Sequence, residues 1–192
     1  MLHDKVTVQI MLGGLSTRMG TDKALVTLGG KTLLERALAR WQGYGSGVQL
    51  SVGSAERKSL APAGMSAVTD IYPERGPLGG LHAGLHACPT ELLLVTAVDS
   101  PYLTQAHADR LLEAIGTADA CIYTVDGRPQ PLFGLYRRRC ATPAETLILH
   151  GNNRMTELLG WVNTVFVEAE DSAPFRNLNT PADLAAAEQD FR

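Results

Sequence analysis

Cysteine is scarce. The chain has three, Cys88, Cys121 and Cys140, far apart and with no C-x-x-C pair. An odd, scattered set speaks against a disulfide framework and a zinc knuckle, and predicts a reduced, cytoplasmic protein. Basic charge is scarce too. There are 17 Lys and Arg against 20 Asp and Glu, a formal net charge of -3. That balance argues against non-specific nucleic-acid binding, which needs a strongly basic face. It leaves room for a small local anion site. No apolar run reaches the ~18 residues of a transmembrane helix, so no membrane span is expected. Met1-Leu2-His3-Asp4-Lys5 leads at once into a short alternating stretch, without the basic region, apolar region and cleavage site of a secretory leader. Aromatic residues are few, at 6%.

Glycine is abundant. There are 19, and 14 of them lie between Gly13 and Gly84. Excess glycine marks turns, or backbone that must approach something closely. With 45% hydrophobic and 19% charged residues, the chain is not intrinsically disordered. Its 192 residues predict one domain with a sizeable core. No internal repeat or low-complexity linker divides it.

Val6 to Leu12 reads as a strand running into Gly13-Gly14. Thr32-Leu33-Leu34-Glu35 is a capping box that opens a helix to about Gln42. Short strands are expected at Val48 to Val52 and Ala67 to Thr69, and a helix over Leu78 to Ala87. The apolar run Leu92 to Val98 suggests a central strand covered on both faces. Thr104 opens a helix carrying Leu111, Leu112 and Ile115. Strands follow at Ala120 to Val125 and Leu132 to Tyr136, helices at Thr142 to Leu149 and Arg154 to Leu159, and a strand at Val162 to Val167. Thr180-Pro181 opens the last helix. This alternation predicts an α/β fold, a mostly parallel twisted sheet with helices on both faces. Ligands in such sheets bind outside the carboxyl ends of the strands, so chemistry is sought just after each strand.

Four segments qualify. Gly13-Gly14-Leu15-Ser16-Thr17-Arg18-Met19-Gly20-Thr21-Asp22-Lys23 offers glycine backbone N–H groups for an anion, with Arg18 and Lys23 as phosphate donors. The alternative is an ordinary glycine-rich turn. It is neither a Walker A loop nor a dinucleotide fingerprint, because Leu25 stands where Gly30-Lys31-Thr32 needs its upstream glycine and no G-x-G-x-x-G occurs. Asp99, at the end of the most apolar strand, suits a magnesium ligand or a turn before Pro101. Asp70 to Leu81 combines a carboxylate with Gly76-Pro77-Leu78-Gly79-Gly80 at a helix start, for close approach to a ligand or as a rigid loop. Asn177 and Asn179 offer amides to a polar ligand, or order the loop into the last helix. His82 and His86 lack the glutamate of a metalloprotease motif and read as structural. Arg137-Arg138-Arg139 reads as a solvated face.

The first segment, extended to Met11-Leu12 and Ala24, resembles the signature of the molybdenum cofactor guanylyltransferases of the MobA type, in Gly13, Gly14, Ser16, Arg18, Met19, Gly20, Asp22 and Lys23. The likeness continues in order through Gly76 to Gly80, Asp99 to Pro101, Gln130-Pro131, Arg154-Met155 and Asn177 to Pro181. It implies a Rossmann-like nucleotidyltransferase fold, with a nucleotide-binding part over about residues 1–110 and a pterin-side part over about 111–192. It also implies transfer of GMP from GTP to molybdopterin with Mg²⁺, releasing pyrophosphate. Carried over, Met11, Leu12, Gly13 and Gly14 hold the nucleotide through their backbone, and Lys23 and Arg18 contact its phosphates. Asp70 helps bind the nucleotide, Asp99 holds Mg²⁺, and Asn177 and Asn179 lie on the pterin side. Lys23, Arg18 and Asp99 are the expected catalytic residues. GTP and the molybdenum cofactor are the expected partners, with the molybdoenzyme that receives the product as a further one. Two other readings compete: a related enzyme using CTP or a sugar phosphate, and a non-catalytic module that delivers the cofactor.

Overall fold

The computed structural model describes residues 2–13, 15, 16 and 21–191. Its main strands are β1 (Val6–Met11), β2 (Gly47–Gly53), β3 (Ser66–Thr69), β4 (Leu92–Ala97), β5 (Ala120–Val125), β6 (Arg128–Arg137) and β7 (Thr164–Glu168). The helices are α1 (Leu33–Trp41), α2 (Gly76–Ala87), α3 (Gln105–Ala114), α4 (Ala141–Leu149), α5 (Met155–Trp161) and α6 (Pro181–Ala187). The seven strands form one sheet in the order β7-β5-β6-β4-β1-β2-β3. Neighbours β1 to β4, β1 to β2, β2 to β3 and β5 to β7 run parallel, and β6 runs antiparallel to both β4 and β5.

Every residue of β1 and of β4 is buried, as expected of strands covered on both faces. On one face Val8, Ile10 and Leu12 share a core with Leu33, Ala37 and Trp41 of α1 and Leu111 of α3. On the other, Met11, Leu93 and Val95 pack with Leu78, Leu81 and Leu85 of α2 and Ala144 and Leu147 of α4. The result is a three-layer α/β/α arrangement. Helix α1 begins where the capping box predicts: Glu35 N–H donates to Thr32 Oγ1 at 3.1 Å, and Thr32 N–H to Glu35 Oε2 at 2.7 Å.

Helix α2 starts at Gly76, two residues before the sequence expectation. Pro77 sits in its first turn, where a missing N–H costs nothing. Its glycines also let it lie close on the sheet. A Cβ at Gly84 would stand 1.9 Å from Gln9 Oε1. Gln9 is fully buried, and its Nε2 donates to Gly80 O at 2.9 Å. Gln49 Nε2 donates to Gln9 Oε1 at 2.7 Å and to Gly84 O at 3.1 Å. Two strand amides thus grip the helix backbone, and only glycine leaves them space. Strand β6 is longer than expected and starts at Arg128. Its pairing with β5 shifts register between Pro129 and Gly134, because proline cannot donate to a ladder.

The chain leaves β1 toward β2 on one side and, after crossing back from β3, leaves β4 toward β5 on the other. The carboxyl ends of β1 and β4 therefore flank a topological switch point, where open α/β sheets form a ligand crevice.

Candidate active site

The ends of the three central strands are stitched together. Leu12 N–H donates to Ser51 O at 3.1 Å, and Val98 N–H to Met11 O at 3.0 Å. The Leu12 side chain is fully buried in the core, so its bulk packs inward and leaves the crevice to the backbone. Gly13 then turns the chain with φ +68°, a conformation cheap only for glycine. Gly14 and Arg18, both predicted at the site, lie outside the described residues. The chain returns in register at Thr21–Asp22, paired antiparallel with Leu15–Ser16.

Asp22 accepts from Ala24 N–H at 3.0 Å and so starts the short helical turn that carries Lys23. Its carboxylate also meets Arg57, with Nη2 to Oδ2 at 2.7 Å and Nε to Oδ2 at 2.9 Å. The same guanidinium donates through Nη1 to Gly13 O and to Val52 O at 2.9 Å. One arginine therefore ties the start of the loop, its end and strand β2. Residue-type reasoning missed Arg57, since Glu56-Arg57-Lys58 looks like any solvated charged turn.

Lys23 projects to the end of β4. Its Nζ lies 2.5 Å from Asp99 Oδ2 and 2.6 Å from Asn179 Oδ1. Both charged side chains are mostly withdrawn from water, at 18% and 12% exposed. The loop that brings Asn179 is fixed by Leu178 N–H, which donates to Asp99 O at 2.9 Å. Asn177 Oδ1 accepts from Ser100 Oγ at 2.7 Å, so this asparagine also serves the loop-ordering role. Ser100 is a further residue that the sequence reading passed over. Beside it opens a cavity of about 130 Å³, lined by Ser100, Gln130, Leu132, Phe133, Phe175 and Asn177 among others.

Asp70 follows β3, and its N–H donates to Gly53 O at 2.7 Å. It rests against the first turn of α2, so close that a Cβ at Gly79 would be 3.4 Å from Asp70 Oδ2. Its Oδ1 is buried without a hydrogen-bond partner. Burial pushes its carboxyl up to about 6. A buried acceptor without a donor is costly to keep, which points to a ligand that supplies the donor.

A larger cavity, about 470 Å³, lies at the amino end of β4, away from this chemistry, and includes Arg137, Arg138 and Arg139. The arginine run is not a solvated face throughout. Arg137 is only 14% exposed; it donates to Ala118 O at 2.7 Å and pairs with Glu91, while Arg139 pairs with Asp119.

The structure therefore gathers Lys23, Asp99, Asn177 and Asn179 at one strand end, with Met11, Leu12 and Gly13 on the adjoining strand. Asp70 stands at the end of β3 against α2. A cation, carboxylates and amides at a switch point suit an anionic ligand carrying a metal. The model of the MobA-like NTP transferase domain matches residues 8–165. This chain belongs to that family. It is 32% identical to a molybdenum cofactor guanylyltransferase of Cupriavidus metallidurans, over 99% of this chain and 98% of the relative. It is 29% identical to the guanylyltransferase of Vibrio cholerae, over 92% and 88% of the two chains. A solved structure of molybdopterin-guanine dinucleotide biosynthesis protein A from Archaeoglobus fulgidus superposes with a TM-score of 0.83 at 27% identity, covering 95% of this chain and 97% of that one. A cytidylyltransferase from Thermus thermophilus shares the fold, with a TM-score of 0.68 at 21% identity over 94% and 96% of the chains.

Proposed function

We propose that this chain transfers GMP from GTP to molybdopterin, releasing pyrophosphate and forming the guanine dinucleotide cofactor. The observation that carries the reading is the contact of Lys23 Nζ with both Asp99 and Asn179. It joins the nucleotide loop of a MobA-like chain to the segment expected on the acceptor side.

The reaction needs no enzyme-bound intermediate. A terminal phosphate oxygen of molybdopterin forms a bond to the α-phosphorus of GTP, the α–β anhydride bond breaks, and its electrons leave with pyrophosphate. Catalysis is then alignment and charge stabilisation. The family's nucleotidyl transfer uses a divalent metal, and Mg²⁺ is the ion we assign. Among the described residues no cluster of three or more His, Cys, Asp or Glu could enclose a metal. Mg²⁺ takes one or two carboxylates and leaves its other positions to phosphate and water. Asp99 would hold it, and when bound it would neutralise phosphate charge.

Lys23 binds the phosphate oxygens and stabilises the charge that grows during transfer, and Arg18 is assigned as a second phosphate donor. The backbone of Met11, Leu12, Gly13 and Gly14 holds the nucleotide. Asp70 offers its unpartnered oxygen to nucleotide N–H or O–H donors. Asn177 and Asn179 orient the acceptor phosphate, and the cavity beside Ser100 receives the body of the acceptor. The nucleotide part thus falls in the first ~110 residues and the acceptor part in the rest. Pyrophosphate release, measured with molybdopterin and GTP, CTP or ATP in turn, tests the reading. We expect turnover with GTP and near-background rates with the others; equal turnover with CTP, or none with GTP, would refute it.

A further inference from the structure

Asn177 and Asn179 flank Leu178, which is buried, while both asparagines are exposed. Backbone bonds hold this segment at two points. Leu178 N–H donates to Asp99 O at 2.9 Å, and Asn179 N–H donates to Asp183 Oδ2 at 3.0 Å. Neither bond fixes how the asparagine side chains turn. An asparagine amide carries an acceptor oxygen on one side and a two-proton donor on the other, and a half-turn exchanges them.

Here each amide is set by a donor. The Lys23 ammonium has protons to give and no lone pair, so Asn179 must turn its Oδ1 toward Nζ, at 2.6 Å. Ser100 Oγ donates to Asn177 Oδ1 at 2.7 Å. Ser100 is itself firmly placed. It is 4% exposed, and Arg40 Nη1 from α1 donates to its carbonyl at 2.9 Å. With both oxygens engaged, the two NH₂ groups are left to give. Neither Nδ2 has a hydrogen-bond partner among the described residues. Two exposed amide donors, one of them beside an ammonium, suit the acceptor-only oxygens of a phosphate.

We infer that Ser100 is a positioning residue for the acceptor: its hydroxyl holds Asn177 with the NH₂ outward, so that the amide donates to the molybdopterin phosphate. Without that hydroxyl the amide can turn and present its oxygen, which repels an anion. Molybdopterin as the ligand rests on the proposed guanylyl transfer; the orientation of the amide does not.

Equilibrium dialysis of the full chain against molybdopterin, without nucleotide, tests this. Ser100→Ala should bind it about tenfold more weakly than the parent, the scale of one hydrogen bond to a charged group. Ser100→Thr keeps the hydroxyl and should restore affinity to within about twofold. In an Asn177→Ala background, Ser100→Ala should change affinity by less than about twofold, because the hydroxyl acts only through that amide. The rise in melting temperature that GTP gives should be the same in Ser100→Ala as in the parent, which a general loosening of the strand end would not allow. Parent-like affinity in Ser100→Ala, an equal loss in both backgrounds, a folded Ser100→Thr as weak as Ser100→Ala, or no uptake by the parent overturns the positioning role. A parent that binds molybdopterin yet releases no pyrophosphate with GTP refutes the transfer reaction, and the affinities still decide the role of Ser100.

Discussion

Asp70→Asn is expected to make the protein more stable and a poorer enzyme. The Asp70 carboxyl is raised from 3.8 to about 6 by burial, and one of its oxygens is buried without a partner. A shift of about two units corresponds to roughly 3 kcal/mol of penalty on the charged form. The group is only half-buried, so solvent screening reduces this to about 1–2 kcal/mol. The sign follows from proton binding. The folded state holds this proton more tightly than the unfolded chain, so stability falls as pH rises from about 4 to about 6 and the penalty is complete above that. Asparagine carries no charge at any pH. The variant should therefore melt about 3–6 °C above the parent at pH 8, and the difference should vanish near pH 4. The same substitution removes an acceptor for the nucleotide, so GTP should raise the melting temperature less in the variant than in the parent. Thermal unfolding by circular dichroism at both pH values, with and without GTP, reads all of this. A variant that melts lower at pH 8, or whose difference is independent of pH, refutes the account of Asp70.

Other substitutions give equally definite results. Lys23→Met should lower kcat/KM by about 100-fold, the scale of losing one charged donor to a transition state, in a steady-state pyrophosphate assay. Adding Asp99→Asn to Lys23→Met should cost much less than the two single losses combined, since the side chains touch at 2.5 Å and act as a unit. Arg57→Lys cannot reproduce the two-pronged contact to Asp22 together with the carbonyl bonds. It should raise KM for GTP about tenfold, with a smaller effect on kcat. Gly84→Ala should destabilise by about 2–4 kcal/mol, because the new Cβ meets Gln9 and disturbs buried amide bonds. Gly160→Ala, on α5 with nothing within 4 Å of the added Cβ, should stabilise by up to about 1 kcal/mol. Denaturant midpoints would show the opposite signs.

Much of this architecture can be read locally. Leu92 to Val98 has the composition of a strand buried on both faces, and β4 is central. Thr32 and Glu35 announce α1 through spacing alone. Asp99 can be placed because it ends that apolar strand. Other features depend on distant residues. Arg57 is defined by Gly13, Asp22 and Val52, none of which marks it in its own neighbourhood. Prolines concealed the start of β6. Arg137 looked solvated because its partners, Ala118 O and Glu91, belong to other elements. Asn179 lies 156 residues from Lys23, and that proximity follows only from the order of strands in the sheet.

That separation bears on how the protein comes into being. Synthesis proceeds from the amino terminus and folds what has emerged. A growing chain exposes the glycine loop, Lys23 and Asp99 well before residues 177–179 exist. Until Leu178 can bond to Asp99 O, Lys23 has a carboxylate but no asparagine beside it. A chain cut after α5 would still hold β1, β4, Lys23 and Asp99. It would lack Asn177 and Asn179, so this cluster of side chains becomes whole only after residues 177–179 have been made.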